Sequence, residues 1–443
     1  MHVIKGALSA KAVFVPQTQA RGWPDLPFSQ SESATLSVHV AKNHQEVEDL
    51  RPVWQQWTNG LDTDIDYFLQ NQRNDGTILH PYVISVWNDE IPLAILVGHV
   101  KSSRASTIVS MVRIHGPRVK LLEIVPNGRL GPPSPEVTRL IGKQLSKALQ
   151  GDADMLCFHR LPLESDLFHE VRQIPGLFVG KRVPHIFAYS RLALTAQSGR
   201  RSPALPGKIM REARRKASNL ERAYPAKVSF RCFSKANEVD VGLWSAETIS
   251  RAAWQHSLGS GFTDTFPTAE GYRFFARKGW LRIYVLEVED RPCAYLLGQF
   301  HNKTFYCQRA GYHPDFAHYS VGSILTAWAF KSLAVSGAHH IDLGEGGQEH
   351  NRRLGCEEHE EGMVHVYAPT RRGISLNFFF GATQVCRAIG RRVQSVLRLG
   401  RIGRAWKALL IAVRRADGAG LRSPISAVPK RGAATSATAG KFS

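Results

Sequence analysis

The chain has 443 residues, of which 43% are hydrophobic, and a formal net charge of +20. This length supports two or three domains with apolar cores, and the lack of about 18 consecutive apolar residues predicts no membrane-spanning helix. The charge is uneven, because residues 199–224 hold 8 Lys and Arg against 2 Asp and Glu, and residues 371–443 hold 15 against 1. The remaining segments are nearly neutral, which argues against a nucleic-acid-binding face on the folded body.

The six cysteines are scattered and form no C-x-x-C pair. This spacing argues against a structural zinc site, and we expect no bound metal. Several cysteines lie in apolar runs typical of strands, as expected of buried thiols in a reducing compartment. The first residues lack a convincing signal peptide. Together these features predict a cytoplasmic protein.

The N-terminal part predicts a disordered segment, residues 1–35, and then a first domain over residues 36–194. Apolar periodicity and capping signals give its elements in chain order. They are a strand (35–41), a helix (44–58), a hairpin (82–87 and 92–99), a helix capped by Ser134 (134–150) and two strands (155–159 and 187–191).

A linker and basic helix, residues 195–224, lead into a second domain over residues 225–370. The second domain repeats the order of the first, which we interpret as an internal duplication. Its predicted elements are a strand (227–232), a helix (237–255), three strands (282–289, 294–300 and 304–311), a helix opened near Gly322 and a strand ending at Asp342.

Beyond residue 370 the composition changes. Residues 371–415 carry apolar side chains at near-helical spacing with arginines between them, although Gly381, Gly390, Gly400 and Gly403 weaken any single long helix. Such a basic amphipathic segment is typical of contact with an anionic membrane surface, the alternative being a helix packed on the domain. Residues 416–443, rich in Ala, Gly and Ser, are predicted to be disordered.

Three ordered motifs in the second domain carry a family resemblance. They are Tyr319-Ser320-Val321-Gly322 before a helix, Ile341-Asp342-Leu343 in a strand, and the loop Gly346-Gly347-Gln348-Glu349-His350-Asn351 ahead of Leu354-Gly355. In this order they resemble the bacterial CelD/BcsL (cellulose-biosynthesis acetyltransferase-like) group of the GNAT (GCN5-related N-acetyltransferase) superfamily. Val321, His350 and Asn351 depart from that pattern, because the family has proline, tyrosine and lysine there. If the lysine is essential, this copy is altered or inactive, or Arg352 has taken its place.

The resemblance implies an α/β (α+β) fold of tandem GNAT-like domains. Each domain has a mixed, mainly antiparallel sheet flanked by helices, and the first domain is degenerate. The resemblance further implies direct transfer of an acyl group from acyl-CoA, most simply acetyl-CoA, to an amine or hydroxyl. The acceptor it suggests is a sugar or a precursor of exopolysaccharide or the cell envelope.

The donor's phosphates are expected at the start of the second-domain helix. Backbone N–H groups in the first turn of a helix bind phosphate, and glycine permits close approach. The alternative is an ordinary helix start capped by Ser320. The predicted cofactor-binding residues are Tyr319, Ser320, Val321, Gly322 and Ser323.

Four residues are candidates for acid–base chemistry: Asp342, Glu345, Glu349 and His350. One carboxylate would accept the proton of the attacking group, and the histidine would protonate the leaving thiolate or orient the acceptor. The alternatives are a loop hydrogen-bond acceptor for Asp342 and surface positions for the other three.

Arg309 and Arg352 are candidates for binding the acceptor. Strand alternation places Phe305, Cys307 and Arg309 on one face, where an arginine is costly unless it is paired or faces a cleft. Arg309 is therefore expected to bind an anionic acceptor or to pair with Asp342.

Two other functions stay open. An aminoacyl transferase of the related FemABX type shares the doubled fold and uses charged tRNA, which the basic linker suits and the near-neutral body does not. A non-catalytic accessory of polysaccharide synthesis is favoured by Asn351 in place of the lysine. We expect a small-molecule or glycan-precursor acceptor, peripheral contact with an anionic inner membrane face through residues 371–415, and no nucleic acid.

Overall fold

The computed structural model describes residues 36–58, 60–109, 112–174, 183, 185–194, 207–252, 266–345 and 348–397. The predictions for the two chain ends, for linker residues 195–206 and for residues 398–415 lie outside these ranges. Gly346 and Gly347 of the predicted glycine-rich loop also lie outside them.

The described strands form one mixed, mainly antiparallel sheet of 13 strands, which confirms the predicted α/β (α+β) class. In chain order they are β1 Leu36–Ala41, β2 Ile78–Pro81, β3 Val83–Asn88, β4 Ile91–Val109, β5 Val112–Leu130, β6 Met155–Pro162, β7 His185–Ala193, β8 Val228–Phe233, β9 Leu281–Val288, β10 Arg291–His301, β11 Thr304–Tyr312, β12 His340–Glu345 and β13 Glu357–Tyr367. Their spatial order is β1-β3-β4-β5-β6-β13-β7-β12-β11-β10-β9-β8, with β2 beside β4.

Helices flank this sheet. They are α1 His44–Asp49, α2 Arg51–Trp57, α3 Ile65–Asn74, α4 Pro135–Gly151, α5 Asp166–Gln173, α6 Gly207–Ala223, α7 Val239–Ala252, α8 Phe266–Arg277, α9 Val321–Val335, α10 Gln348–Arg353 and α11 Arg371–Leu397. Within the described ranges no helix is both long and apolar enough to span a membrane.

Two sets of strands follow the same plan. In the first set, β1 and β3 to β5 are antiparallel neighbours and β5 runs parallel to β6, with α4 as the connection. In the second set, β8 to β11 are antiparallel neighbours and β11 runs parallel to β12, with α9 as the connection. A helical crossover is the usual way to join parallel strands.

The two sets exchange their last strands. Strand β13, which follows the second set in the chain, pairs with β6 of the first set. Strand β7, which follows the first set, pairs with β12 of the second set. Strands β13 and β7 also pair with each other, so the sheet continues without a break from one set to the other.

The two faces of the second set carry different residues. Phe305, Ile341 and Leu192 point to the face where α6 and α9 pack, which we call the α9 face. Because side chains alternate along a strand, Tyr306 and Asp342 point to the opposite face, which we call the Asp342 face. Helices α7 and α8 cover the second set on the Asp342 face.

Two predicted helices differ from the observed ones. The helix predicted over residues 44–58 is two helices, because the chain turns at Leu50 and Pro52 lies in the first turn of α2. Helix α11 runs unbroken through Gly381 and Gly390, contrary to the expected weakening. Leu376, Phe379 and Phe380 of α11 pack into a core on the first set, and this burial offsets the roughly 1 kcal/mol cost of each glycine.

Candidate functional site

A gap opens between β11 and β12. The two strands pair only where residues Thr304–Tyr306 lie beside His340–Asp342. Beyond these pairs, β11 continues to Tyr312 and β12 to Glu345 without pairing to each other. The gap therefore offers an open strand edge, to which an extended chain with amide groups can hydrogen-bond.

The start of α9 has free backbone donors. Ser320 adopts the left-handed conformation, with φ 58° and ψ 40°, and its hydroxyl makes no cap hydrogen bond, so the side-chain cap considered as an alternative is not formed. The Ser323 and Ile324 N–H groups donate to the Ser320 carbonyl at 2.9 and 3.2 Å. The N–H groups of Val321 and Gly322 have no acceptor among the described residues. These are the groups that bind an anion at a helix start.

A cavity of about 760 Å³ lies where the two strand sets meet. Of the predicted site residues whose side chains the structure describes, Asp342 lines this cavity and the others do not. The parallel pairing of β5 and β6 ends at Ile124 and Phe158, and both of these residues line the cavity. The cavity thus extends from the Asp342 face into the gap of the first set.

Asp342 lies at the apex of the β11–β12 gap and is almost fully buried. The Tyr189 hydroxyl donates to its Oδ1 atom, and the Gly344 N–H donates to the same atom at 3.0 Å. Among the described residues, no donor contacts Oδ2. Burial raises the pKa of Asp342, and the hydrogen bond from Tyr189 opposes that rise. A carboxylate with a raised pKa and a free oxygen is suited to accept a proton.

Three more charged residues surround this carboxylate. The Arg160 guanidinium lies 3.5 Å from the centre of the Tyr189 ring and donates to Glu361 at 2.6 and 3.2 Å. Asp62, in the loop before α3, lines the same cavity. Burial raises the pKa of Asp62 to about 6, with Arg160 opposing the rise and Asp342 adding to it. A second carboxylate near Asp342 is therefore half-protonated near pH 6.

Sequence reasoning missed Asp62, Arg160, Tyr189 and Glu361. They come from four separate segments, namely the loop before α3 and strands β6, β7 and β13, so no local motif contains them. For Arg160 the available signal was a charged residue near the end of a largely apolar strand. That signal identifies candidates but not their meeting point, which depends on the strand exchange.

The other predicted acid–base residues lie elsewhere. Glu345 is exposed, with its Oε1 atom 3.5 Å from His185 Nε2. Glu349 is exposed and pairs with Arg353 one helical turn later. The backbone of His350 lies in α10, and its side chain is outside the described part of the structure. These three assignments stay predictions.

The two predicted acceptor-binding arginines are both exposed. Arg352 pairs with Glu358 at 2.9 Å. For Arg309, the prediction of a shared face with Phe305 is wrong, because a bulge pairs Gly298 with Cys307 but Leu297 with Arg309. The extra residue, Gln308, reverses the alternation. Arg309 thus lies on the Asp342 face, and within the described residues it makes no ion pair with Asp342.

The class of the second strand set follows from comparison with known proteins. Residues 207–352 match the family model of the acetyltransferase (GNAT) domain. This segment contains β8 to β12 and α9, and so both the gap and the helix start described above. The second strand set is therefore a GNAT acetyltransferase domain, and the protein is an acyltransferase.

Several solved structures resemble this chain at low sequence identity. FemX is 9% identical, with 74% of this chain and 98% of that chain covered and a TM-score of 0.50, which shows a common fold. A tandem GNAT protein from the clavulanic acid biosynthesis pathway is 11% identical, covering 75% and 99% of the two chains with a TM-score of 0.45. The L-PGS structure from Bacillus licheniformis is 13% identical, covering 75% and 96% with a TM-score of 0.41. No curated protein sequence matches this chain.

The hydrogen bond from Tyr189 to Asp342 gives a testable pH effect. This bond lowers the pKa of Asp342 against the effect of burial, so its removal in Tyr189→Phe raises that pKa. A base acts only when deprotonated, so the acidic limb of the kcat/KM profile should move to higher pH in the variant. Tyr306→Phe, which alters a second cavity tyrosine not bonded to Asp342, is the control and should leave the limb in place. An unshifted limb in Tyr189→Phe would exclude Asp342 as the titrating base.

Proposed function

We propose that this protein transfers an acyl group, most simply acetyl, from acyl-CoA directly to an amine or hydroxyl of an acceptor bound in the cavity. One observation carries the proposal: Asp342 stands at the apex of the β11–β12 gap and also lines the cavity. A donor held in the gap and an acceptor held in the cavity would therefore meet at this carboxylate.

The donor fits the gap and the start of α9. The open edge of β11 would pair with the amide groups of the pantetheine arm. The free N–H groups of Val321 and Gly322 would bind the pyrophosphate, as the positive end of a helix dipole favours. Both features lie within the segment that matches the GNAT domain.

The start of α4, the corresponding helix of the first strand set, offers fewer donors for a phosphate. Ser134 caps the start of α4, with its hydroxyl accepting from the Val137 N–H at 3.4 Å, and Pro135 has no N–H to offer. The helix start therefore has fewer free donors than α9 has. This difference supports the expectation that the first set is degenerate as a donor site and shapes the acceptor site instead.

The chemistry requires few groups. Asp342 accepts the proton of the acceptor amine or hydroxyl through its free Oδ2 atom as the nitrogen or oxygen attacks the thioester carbon. A new carbon–nitrogen or carbon–oxygen bond forms, the carbon–sulfur bond breaks, and the thiolate leaves to become the thiol of coenzyme A. Tyr189 holds the carboxylate in position, and Arg160 stabilises its negative charge.

The residue in place of the family lysine does not take part in this scheme. Asn351 is buried, with 5% of its surface exposed, and its carbonyl accepts from the Cys356 N–H at 3.1 Å. Asn351 thus packs inside the fold, and the proposed reaction does not require its side chain to transfer a proton. Assigning the base to Asp342 therefore accounts for an active enzyme with asparagine at this position.

The resemblance to the CelD/BcsL group supports a sugar or an exopolysaccharide or cell-envelope precursor as the acceptor. Contact with an anionic membrane is supported by α11. This helix packs on the first set through Leu376 and Phe380, and it exposes Phe378 and Val385, seven residues apart, at 60% and 58%. Arg371 and Arg372 at its start are also exposed. An apolar stripe beside basic residues is typical of a surface helix at a membrane.

The function can be tested by following thiol release from acetyl-CoA in the presence of a panel of amino sugars. We expect thiol release that depends on both the enzyme and an acceptor. Aminoacyl transfer of the FemX type is the second candidate, since FemX shares the fold. It would show instead as acceptor modification that requires aminoacylated tRNA and is independent of acyl-CoA, and that result would overturn the proposal.

A further inference from the structure

One end of the cavity is positively charged. Arg191, Lys303, His339 and His340 all line it, around the start of β12 and the turn between β10 and β11. The other charged residues of the cavity lie around Asp342, and there Glu361 is paired with Arg160. The cavity therefore has a proton-accepting end at Asp342 and a cationic end beside it.

Arg191 makes no ion pair with the described residues around it. On the flanking strands its register partners are Asp342 and Glu357, and neither makes an ion pair with it among the described residues. Asp342 instead accepts from Tyr189 and Gly344 at Oδ1. The guanidinium points across β12, where its Nη2 atom lies 3.4 Å from the hydroxyl of Thr304.

The guanidinium also has an unused donor. The Nε atom of Arg191 is buried and has no hydrogen-bond partner in the part of the chain that the structure describes. A buried N–H of a charged group without an acceptor is costly, and arginine presents its donors in a fork that matches the two oxygens of a carboxylate or phosphate. An oxyanion in the cavity would supply the missing acceptor.

The other residues at this end favour the same ligand. Thr304 is buried and holds its hydroxyl next to the guanidinium. Burial lowers the pKa of His340 to about 4, and the charges of Arg191 and His339 add to the effect. His340 is therefore neutral at pH 7, and its ring N–H remains a donor. The ammonium of Lys303 adds positive charge at the rim.

We propose that Arg191, with Thr304, His340 and Lys303, binds an anionic group of the acceptor, either a phosphate or a carboxylate. This inference rests on the proposed function and adds the chemical class of the acceptor. His340 precedes Asp342 by two residues, which corresponds to about 7 Å along a strand. The acceptor therefore carries its anionic group at about that distance from the nitrogen or oxygen that is acylated.

The competing explanation is that Arg191 acts only through Asp342. Its charge lowers the pKa of that carboxylate, so Arg191 could support the base without touching a ligand. The two roles differ in what they predict for a simple oxyanion. An anion site binds inorganic phosphate or acetate on its own, whereas a purely electrostatic support does not.

The test is calorimetric titration of inorganic phosphate and of acetate into the full-length protein carrying Gly322→Glu, which blocks the start of α9 and leaves the cavity as the site observed. We expect millimolar binding that weakens by about tenfold or more in Arg191→Gln, and less in Arg191→Lys, which keeps the charge and loses the fork. Arg118→Gln, an exposed position on the β4–β5 hairpin, removes the same charge and is the matched control.

The possible outcomes are distinct. Absence of anion binding, or equal binding in the Arg191 and Arg118 variants, would overturn the anion site. If Arg191→Gln melts at a clearly lower temperature, the anion affinity of Arg191→Lys, which retains the charge at the site, is compared with that of Arg118→Gln. Weaker binding by Arg191→Lys supports the anion site, and equal binding overturns it. Acetyl-CoA binding by the protein with Gly322 intact is measured in parallel. If acetyl-CoA binds and phosphate does not, the proposed function stands and this inference fails.

Discussion

Asp342→Asn is expected to lower kcat/KM by about 100- to 10,000-fold, the range typical of a lost general base. The asparagine has the same size, and its side-chain oxygen can still accept from Tyr189 and Gly344, so the fold should be unaffected. What the variant loses is the ability to take up a proton at the apex of the gap. The measurement is the initial rate of thiol release, with acetyl-CoA affinity determined separately and expected to be unchanged.

Glu345→Gln is the matched control for this experiment. Glu345 lies three residues further along β12, is exposed, and does not line the cavity. Its loss should change the rate by less than about threefold, within the range of a surface substitution. A large loss in Glu345→Gln together with a nearly normal Asp342→Asn would transfer the role of base to Glu345, which the sequence also suggested.

The pH profile gives the same residue a second test. Burial places the pKa of Asp342 above the ordinary range for aspartate. Because the deprotonated form is the active one, the rate should fall as the pH drops through that raised value, and this acidic limb should vanish in Asp342→Asn. Asp62 has a pKa of about 6 and lies in the same cavity, so Asp62→Asn must be compared. A limb that disappears in Asp62→Asn alone would identify Asp62 as the base.

Gly322→Glu is expected to weaken acyl-CoA binding by at least about 100-fold, equivalent to about 2.8 kcal/mol. The substitution places a carboxylate at the start of α9, where two backbone N–H groups are free to bind a phosphate. The added charge repels the pyrophosphate, and the added bulk occupies its place. Calorimetry with acetyl-CoA measures the effect directly.

Gly322→Ala shows whether weaker binding by Gly322→Glu is due to the bulk and charge of glutamate or to the loss of glycine itself. A Cβ atom at this position would lie 3.5 Å from Tyr312 Cδ1, an ordinary van der Waals contact, so the alanine fits. Alanine also favours the helix. Binding by Gly322→Ala should stay within about threefold of the unmodified protein. If both variants bind normally, the donor's phosphates lie away from α9, and the proposed donor site is wrong.

Local patterns in the sequence predicted much of the fold. The strands of the second set, the helix after β11 and the capped helix α4 depend on alternation, helical spacing and the Ser134 cap, which act over a few residues. The same local signals located Asp342 in a strand, although the strand continues to Glu345 and does not end at Asp342 as predicted. Such features are predictable because the physical cause lies within the segment itself.

The centre of the site was not predictable in this way. Tyr189 meets Asp342 only because β7 pairs with β12, and Arg160 meets Glu361 only because β13 pairs with β6. These pairings join residues more than 150 positions apart, as the separation of Tyr189 from Asp342 shows. The bulge that reverses Arg309 likewise depends on the partner strand. No spacing within one segment encodes either effect.

The strand exchange limits how this chain can be cut or recombined. A break in the linker between residues 195 and 206 would remove β13 from β6 and β7 from β12, so each fragment would end in an unpaired, apolar sheet edge. In the intact chain, a ligand bound to either set should stabilise the whole sheet, because binding to the native state alone shifts the common unfolding equilibrium. A genetic crossover in the linker would likewise not transfer one complete half. It would give each half of the product one foreign strand, β13 beside β6 and β7 beside β12, so the two halves are expected to evolve as a pair.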